Sequence, residues 1–327
     1  MGKYMAKRLL YMLLMLVVIT ITTFVVIQLP PGDYLTTYVS ALQAQGQRVE
    51  QEEIERLTRL YGLDQPMHIQ FFNWIKGFPS GNFGYSFSQN KPVMEIIMPA
   101  FKVSLLIAVI VFITTTILGY LIGYYTALYK NTAIDYTASF LGTVGMSVPA
   151  FVTALVALWI TYSITGKSFA GLYSREYLAA GMSWGKFVDG CKHMILPVVV
   201  ITFANLSGFK GVRANMLDEI NKPYVVTARA KGMKENRLLV KYPVRMALIP
   251  NMGTAGLAIP TLISGEAIAG IVLNLPTLGP LMLNALKSQD MFLAGAILLL
   301  QSVMTLVGVL ISDIALALMD PRIRLDS

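Results

Sequence analysis

The chain has 327 residues, of which 55% are hydrophobic and only 13% charged, with a formal net charge of +8 and a mean hydropathy of +0.61. Soluble domains carry about 25% charged residues, so the composition excludes an ordinary water-soluble enzyme or binding module and places the chain in a bilayer. The length would suffice for two soluble domains, but the long apolar runs point to a single membrane domain over 1–327.

Stretches free of Asp, Glu, Lys and Arg cover 9–32, 103–129, 136–166, 193–209, 246–265, 267–286 and 291–312. About 20 apolar residues span a bilayer as a helix, the one open-chain form that bonds its own backbone in lipid. The first run is too long for a signal-peptide core, and its exit, VVIQLPPGD, lacks a small-x-small cleavage pattern, so it reads as a retained span. Residues 30–100 form a long loop. Within it Ile54, Leu57 and Tyr61 fall on one face, which predicts an amphipathic helix in 47–63. That helix would lie on the membrane surface, cap the transmembrane bundle or seat an external partner. The next run holds GYLIG at 119–123, whose glycines would let another helix approach closely.

The run at 136–166 reads as one span. The run at 193–209 is short and is expected to continue as helix past Lys210 into the interface. Residues 246–272 read as a span with Glu266 inside it. LNLPTLGP then makes 273–287 a broken or re-entrant piece, and 291–312 is the last span. The expectation is an all-α polytopic membrane protein with six transmembrane helices.

Lys and Arg in short loops stay on the cytoplasmic side. Lys3, Lys7 and Arg8 precede the first span, and residues 210–245 hold nine basic side chains against three acidic ones. Residues 30–100 hold five basic and seven acidic. The charges therefore predict cytoplasmic N- and C-termini, a cytoplasmic loop at 210–245 and an outer loop at 30–100.

Catalytic chemistry is not legible. TGKS at 165–168 lacks the first glycine of a phosphate loop, since Thr161 occupies that place. His68 and His193 have no paired ligand spacing, and His193 reads as an interfacial residue where a helix starts. Cys191 is the sole cysteine, so no internal disulfide or zinc cluster is expected, and its bland reading is a small interfacial residue. The basic clusters lack interleaved stacking aromatics, which argues against nucleic acid.

The informative stretch is YVVTARAKGMKENRLLVKYPVRMALIP at 224–250, with six basic residues and one acid. Pro223–Ala230 and Glu235–Met246 favour helix, and Gly232 sits at a natural cap between them. As a membrane-edge linker, each Lys or Arg could contribute about 1 kcal/mol against anionic lipid. Thr227, Ala228 and Ala230, small and followed by glycine, instead suggest a helix that docks on a protein. Glu266 and Asp313 are ionisable groups within spans and so candidate functional groups. Glu266 could meet a solute, a partner or a neighbouring helix, while Asp313 suits pairing with Arg322 or Arg324.

Tyr224, then Thr227 through Gly232 (TARAKG), then a basic helix leading to Ala247 through Pro250 (ALIP), resembles the cytoplasmic coupling motif of ATP-binding-cassette importer permeases, in the dipeptide, oligopeptide and nickel branch. YGLDQP, GNFGYSF, GTVGMSVPAF, HMILP, LPTLGPLML and DPRIR extend the similarity over nearly the whole chain. Arg245 stands where many members carry proline, Gly270 where many carry glutamate, and Val309 where many carry asparagine. IQLPPGDYLTTYV is similar to members associated with oligosaccharide uptake, so the resemblance leaves the cargo open between peptide, oligosaccharide and nickel.

The resemblance implies a type I importer permease in the cytoplasmic membrane of a bacterium or archaeon, paired with a second homologous permease. Two cytoplasmic ATPase subunits would hold ATP and Mg2+, and an extracytoplasmic solute-binding protein would deliver cargo. No cofactor would bind this chain, which would not itself be an enzyme. Tyr224, Thr227, Ala228, Arg229, Ala230, Lys231 and Gly232 would dock an ATPase subunit, and Glu266 is the candidate on the translocation path. The competing reading is a membrane scaffold that recruits another cytoplasmic partner through its basic loop.

Overall fold

The computed structural model describes residues 2–29, 35, 39, 51–61 and 64–319, which are mostly helical. In chain order they form α1 (Gly2–Gln28), α2 (Gln51–Tyr61), α3 (Met67–Lys76), a hairpin of β1 (Tyr85–Ser86) and β2 (Lys91–Pro92), α4 (Val93–Leu128), α5 (Ala133–Ser147) and α6 (Ala150–Thr165). There follow α7 (Trp184–Ala204), α8 (Phe209–Ile220), α9 (Pro223–Ala230), α10 (Glu235–Leu239), a π turn (Val240–Val244), α11 (Arg245–Gly265), α12 (Ala267–Val272), α13 (Leu278–Lys287) and α14 (Met291–Met319). Among the described residues four helices are long and apolar enough to cross a membrane, or up to six if each of two bent pairs is one span.

The run at 136–166 is two helices rather than one rod. Val148 is extended at φ −88, ψ 123, because proline pushes the residue before it out of the α region. Pro149 then opens α6, and α5 and α6 meet at 106°. The run at 193–209 extends at both ends: after a turn at Leu206–Gly208, α8 carries helix past Lys210 as expected, and α7 also reaches back before His193. Helix α7 begins at Trp184, so Lys186, Asp189 and Lys192 are in it, and it stops at Ala204. Ser183 caps it by accepting the Lys186 N–H at 3.2 Å. His193 accordingly lies inside the helix, only 2% exposed, with Nδ1 3.0 Å from the Asp189 carbonyl. Cys191 is exposed.

Residues 246–272 divide as well. Pro250 cannot donate to the Met246 carbonyl, and the helical path bends by 51° between Asn251 and Gly253. Helix α11 then ends at Gly265, with Glu266 between it and α12. The α12 to α13 connection turns at Asn274, φ 52, giving the expected broken piece before α14. In the 47–63 stretch the described residues 51–61 are helical, as the spacing predicts. DPRIR, with Arg322 and Arg324, lies outside the described residues.

The chain groups into two compact units, one from 2–104 and 276–306, the other from 105–275 and 307 onward. In the first, Trp74 is 4% exposed among Phe24, Phe78 and a stacked Phe78–Phe83 pair, with ring centroids 4.9 to 5.9 Å apart. The hairpin is fixed by Asp290, which is fully buried. One carboxylate oxygen accepts from Ser86 Oγ at 2.6 Å, Ser88 Oγ at 2.8 Å and Ser88 N–H at 3.0 Å, and the other accepts from Leu293 N–H at 3.2 Å, capping α14. In the second unit Gly123 of α4 meets α8. A Cβ there would stand 2.7 Å from Val212 Cβ and 2.9 Å from the Phe209 carbonyl. Gly123 is thus the residue of GYLIG that close packing demands; Gly119 has nothing closer than 4.0 Å.

Candidate functional site

The segment from α8 to α11 is built on two small apolar clusters. Helix α8 buries Phe209, Val212, Met216 and Glu219 at spacings of 3, 4 and 3, one helical face. Val212 and Met216 pack with Ala127 of α4 and Ala247 of α11. Helix α9 turns Val225 and Ala228 inward against Leu238 and Leu239 of α10, with Tyr124, Leu128, Ile220, Met233 and Tyr242 around them. Burying each of the leucines contributes about 2 kcal/mol. The short arm is thereby seated on the end of α4.

Local chemistry sets both ends of α9. Pro223 occupies the first turn, where its missing N–H costs nothing and its φ is already helical. At the other end Gly232 N–H bonds the Arg229 carbonyl at 3.0 Å and Met233 N–H bonds the Ala228 carbonyl at 3.3 Å. With Gly232 at φ +77 this is a Schellman cap, completed by Met233 packing on the Ala228 cluster. Glycine is demanded by the backbone here, because a Cβ at 232 would have open space.

Three carboxylates stitch the segment. Asp135, 3% exposed at the start of α5, holds Arg213 of α8 in a bidentate pair at 2.7 and 2.8 Å and accepts the Asn131 N–H at 3.0 Å. Glu219 accepts from both Lys222 Nζ and the Tyr224 hydroxyl at the start of α9. Burial pushes the Glu219 carboxyl up, but those two hydrogen bonds outweigh it and hold the group below the ordinary carboxylate value. Burial and then the bond to Glu219 push the Tyr224 hydroxyl up to about 12. Glu235 grips Arg229 at 2.7 and 3.0 Å across the Gly232 turn, with both side chains exposed.

The sequence-predicted docking residues therefore separate into two groups. Tyr224, Thr227, Lys231 and Gly232 line one open groove of about 480 Å3 with Lys234, Arg237 and Tyr242. Val226, Ala230 and Arg229 are also exposed. Ala228 also borders the groove, but it is only 8% exposed and packs in the chain's own core against α10. Arg229 is engaged by Glu235. Glu219, Glu235 and the Asp135–Arg213 pair escape a sequence reading that treats acids only as charge balance. The signal for Glu219 is its place three residues before Lys222 and five before Tyr224.

Glu266 is 1% exposed at the α11 to α12 junction. It is not among the residues lining the open groove of about 410 Å3 between α4, the Asn205–Gly208 turn and α11. That groove presents Thr115, Thr116, Asn205, Asn251, Thr254 and Thr261 among apolar groups, neutral donors and acceptors without a formal charge. Among the described residues no group of three or more His, Cys, Asp or Glu side chains could hold a metal ion.

Comparison with known proteins agrees with this architecture. Residues 119–325 match the family model described as binding-protein-dependent transport system inner membrane component, and residues 1–108 match the model for the N-terminal part of such membrane components. The oligopeptide transport system permease protein AppB of Bacillus subtilis is 32% identical over 99% of this chain and 100% of its own length. The dipeptide transport system permease protein DppB of Lactococcus lactis is 30% identical over 99% and 100%, and that of Escherichia coli K12 is 28% identical over 94% of each. The chain is a multi-pass protein of the cytoplasmic membrane and belongs to the inner-membrane permease family of binding-protein-dependent ABC importers.

Proposed function

We propose that this chain is one of two homologous permease subunits in an ATP-driven importer of oligopeptides or dipeptides, and that α9 is where a cytoplasmic ATPase subunit acts on it. A solute-binding protein delivers cargo from outside, and ATP and Mg2+ belong to the two ATPase subunits. The chain has six spans in a type I arrangement with both termini cytoplasmic, as the basic balance of 210–245 supports. The names of the full-length relatives support peptide cargo. The uncharged, hydroxyl- and amide-bearing groove of about 410 Å3 suits a path for peptides of varied charge, because it can bond backbone amides without selecting a side chain.

The observation that carries the coupling role is the construction of α9: an eight-residue helix with fixed ends, an exposed outer face and an inner face seated on α4, α8 and α10. Such an arm transmits displacement as a rigid body. ATPase closure on nucleotide shifts the permease between inward- and outward-facing states to the extent that the ATPases bind those states with different affinity.

The test is Gly232→Trp. Among the described residues, its two chain neighbours aside, no atom lies within 4 Å of a Cβ at 232, so the indole obstructs a partner. Gly232→Ala, which imposes the backbone cost alone, is the control. Membrane insertion should survive in both, and solute-stimulated ATP hydrolysis should be abolished in Gly232→Trp but retained in Gly232→Ala. Normal stimulated hydrolysis in Gly232→Trp contradicts the coupling role.

A further inference from the structure

The groove beside α9 carries an unbalanced charge. Of the carboxylates around it, Glu219 is committed to Lys222 and Tyr224, Glu235 to Arg229, and Asp135 to Arg213, while Asp218 is exposed on α8 and does not line the groove. Lys231, Lys234 and Arg237 all line the groove, all are exposed, and none pairs with a carboxylate among the described residues. No acidic side chain lines the cavity, and Tyr224 and Tyr242, with ring centroids 6.0 Å apart, supply its aromatic wall. Three like charges gathered at one concavity repel one another and focus a positive potential into it. A chain selected only for the stability of this arm would spread them or pair them, as it pairs Arg213, Lys222 and Arg229.

From this we infer that the groove is an acid receptacle: it seats an Asp- or Glu-bearing segment of the ATPase subunit, whose carboxylates pair with Lys231, Lys234 and Arg237. The inference rests on the docking reading above and specifies its chemistry. Charge complementarity of this kind raises the association rate, fixes register and rejects partners of the wrong sign. The tip of α9 supplies the lever, and the cationic groove behind it selects which ATPase surface the lever enters. Pairs at such a rim are partly screened by salt, so docking strength should fall as ionic strength rises.

The experiment uses the full complex of both permeases and both ATPase subunits in nanodiscs. A carbodiimide, which joins an amine to a carboxylate only when the two touch, should link Lys231 or Lys234 to an Asp or Glu of an ATPase subunit, identified by mass spectrometry. The triple variant Lys231→Glu, Lys234→Glu, Arg237→Glu should weaken ATPase association about tenfold or more and flatten its salt dependence. Lys234→Ala alone, which leaves the fold intact, should weaken it about threefold. In parallel, Val226→Cys on the exposed face of α9 reports docking itself by cross-linking to a cysteine-bearing ATPase. If Val226→Cys cross-links while carbodiimide yields no product and charge reversal leaves affinity unchanged, the acid receptacle is overturned and docking stands. If anionic phospholipid is retained by the wild type and lost from the triple variant, with ATPase affinity unaltered, the groove is a lipid site and the inference is again overturned. If Val226→Cys fails to cross-link as well, the docking reading falls with it.

Discussion

The hairpin at 85–92 and the arm at 209–245 are both fixed by carboxylates, but in opposite ways. Asp290 is fully buried and accepts four hydrogen bonds, joining β1, the hairpin turn and the start of α14 in one ligation. The arm uses three separate carboxylates, two of them serving local partners within six residues, and Arg229 and Glu235 are both exposed. A buried, multiply bonded carboxylate costs a great deal to disturb, because its donors lose their partner away from water. Exposed pairs cost little, because water replaces them. The hairpin is thus locked to α14; in the arm the buried Asp135 holds α8 to α5 in a similar way, whereas the Gly232 turn carries only the exposed Arg229–Glu235 pair and keeps its shape through its cap and the Val225–Leu238 cluster. That is the difference expected between a fixed anchor and a lever.

This contrast can be broken most decisively at Asp290. Asp290→Ala removes the α14 cap and orphans the Ser86 and Ser88 donors, and should lower stability by about 3 kcal/mol, read as the unfolding midpoint in detergent. Glu219→Gln should cost about 1.5 kcal/mol, seen as faster tryptic cleavage after Lys231, at the far end of α9. Gly232→Ala should cost about 1 kcal/mol through its left-handed backbone alone, in the same proteolysis assay. Arg229→Ala should shift neither stability nor cleavage measurably, since both members of its pair are solvent-exposed. A wild-type unfolding midpoint for Asp290→Ala, or a large loss for Arg229→Ala, would reverse the assignment of anchor and lever.

The smallest effect is in pH. Glu219 is held below its ordinary value of about 4.3, so its contribution is present above that value and is lost as pH falls through the lower folded-state one. Tyr224, pushed up to about 12, stabilises the arm fully below about 10 and loses that contribution as pH rises toward 12. The start of α9 should be most resistant to proteolysis between those limits. Tyr224→Phe should remove the most basic component of the tyrosinate absorbance titration.

The arm was the most legible part of the sequence, because proline, small residues and glycine act locally. Pro223–Ala230 and the turn at Gly232 need no distant contact to be placed. Span boundaries were less legible. Charge-free runs mark apolar depth, whereas a helix continues through Lys186 and Asp189 once its end reaches polar surroundings, as α7 does. The 106° bend at Pro149 is present in the sequence as an X-Pro step, yet the apolar run hides it. Asp290 and Asp135 were invisible as structural residues because their partners, Ser86 and Arg213, are 204 and 78 positions away. The inward turn of Ala228 likewise depends on Leu238 and Leu239, which local propensity does not register.

The side of the membrane on which α9 lies is the most direct test. Cys191 is the single native cysteine and is exposed, and the six-span topology we propose would put it at the opposite face from α9. A membrane-impermeant maleimide should label Cys191 only in right-side-out vesicles. In a Cys191→Ser, Val226→Cys variant it should label only inverted vesicles, with protection when ATPase subunits are bound. Labelling of position 226 from the outer face would contradict the account.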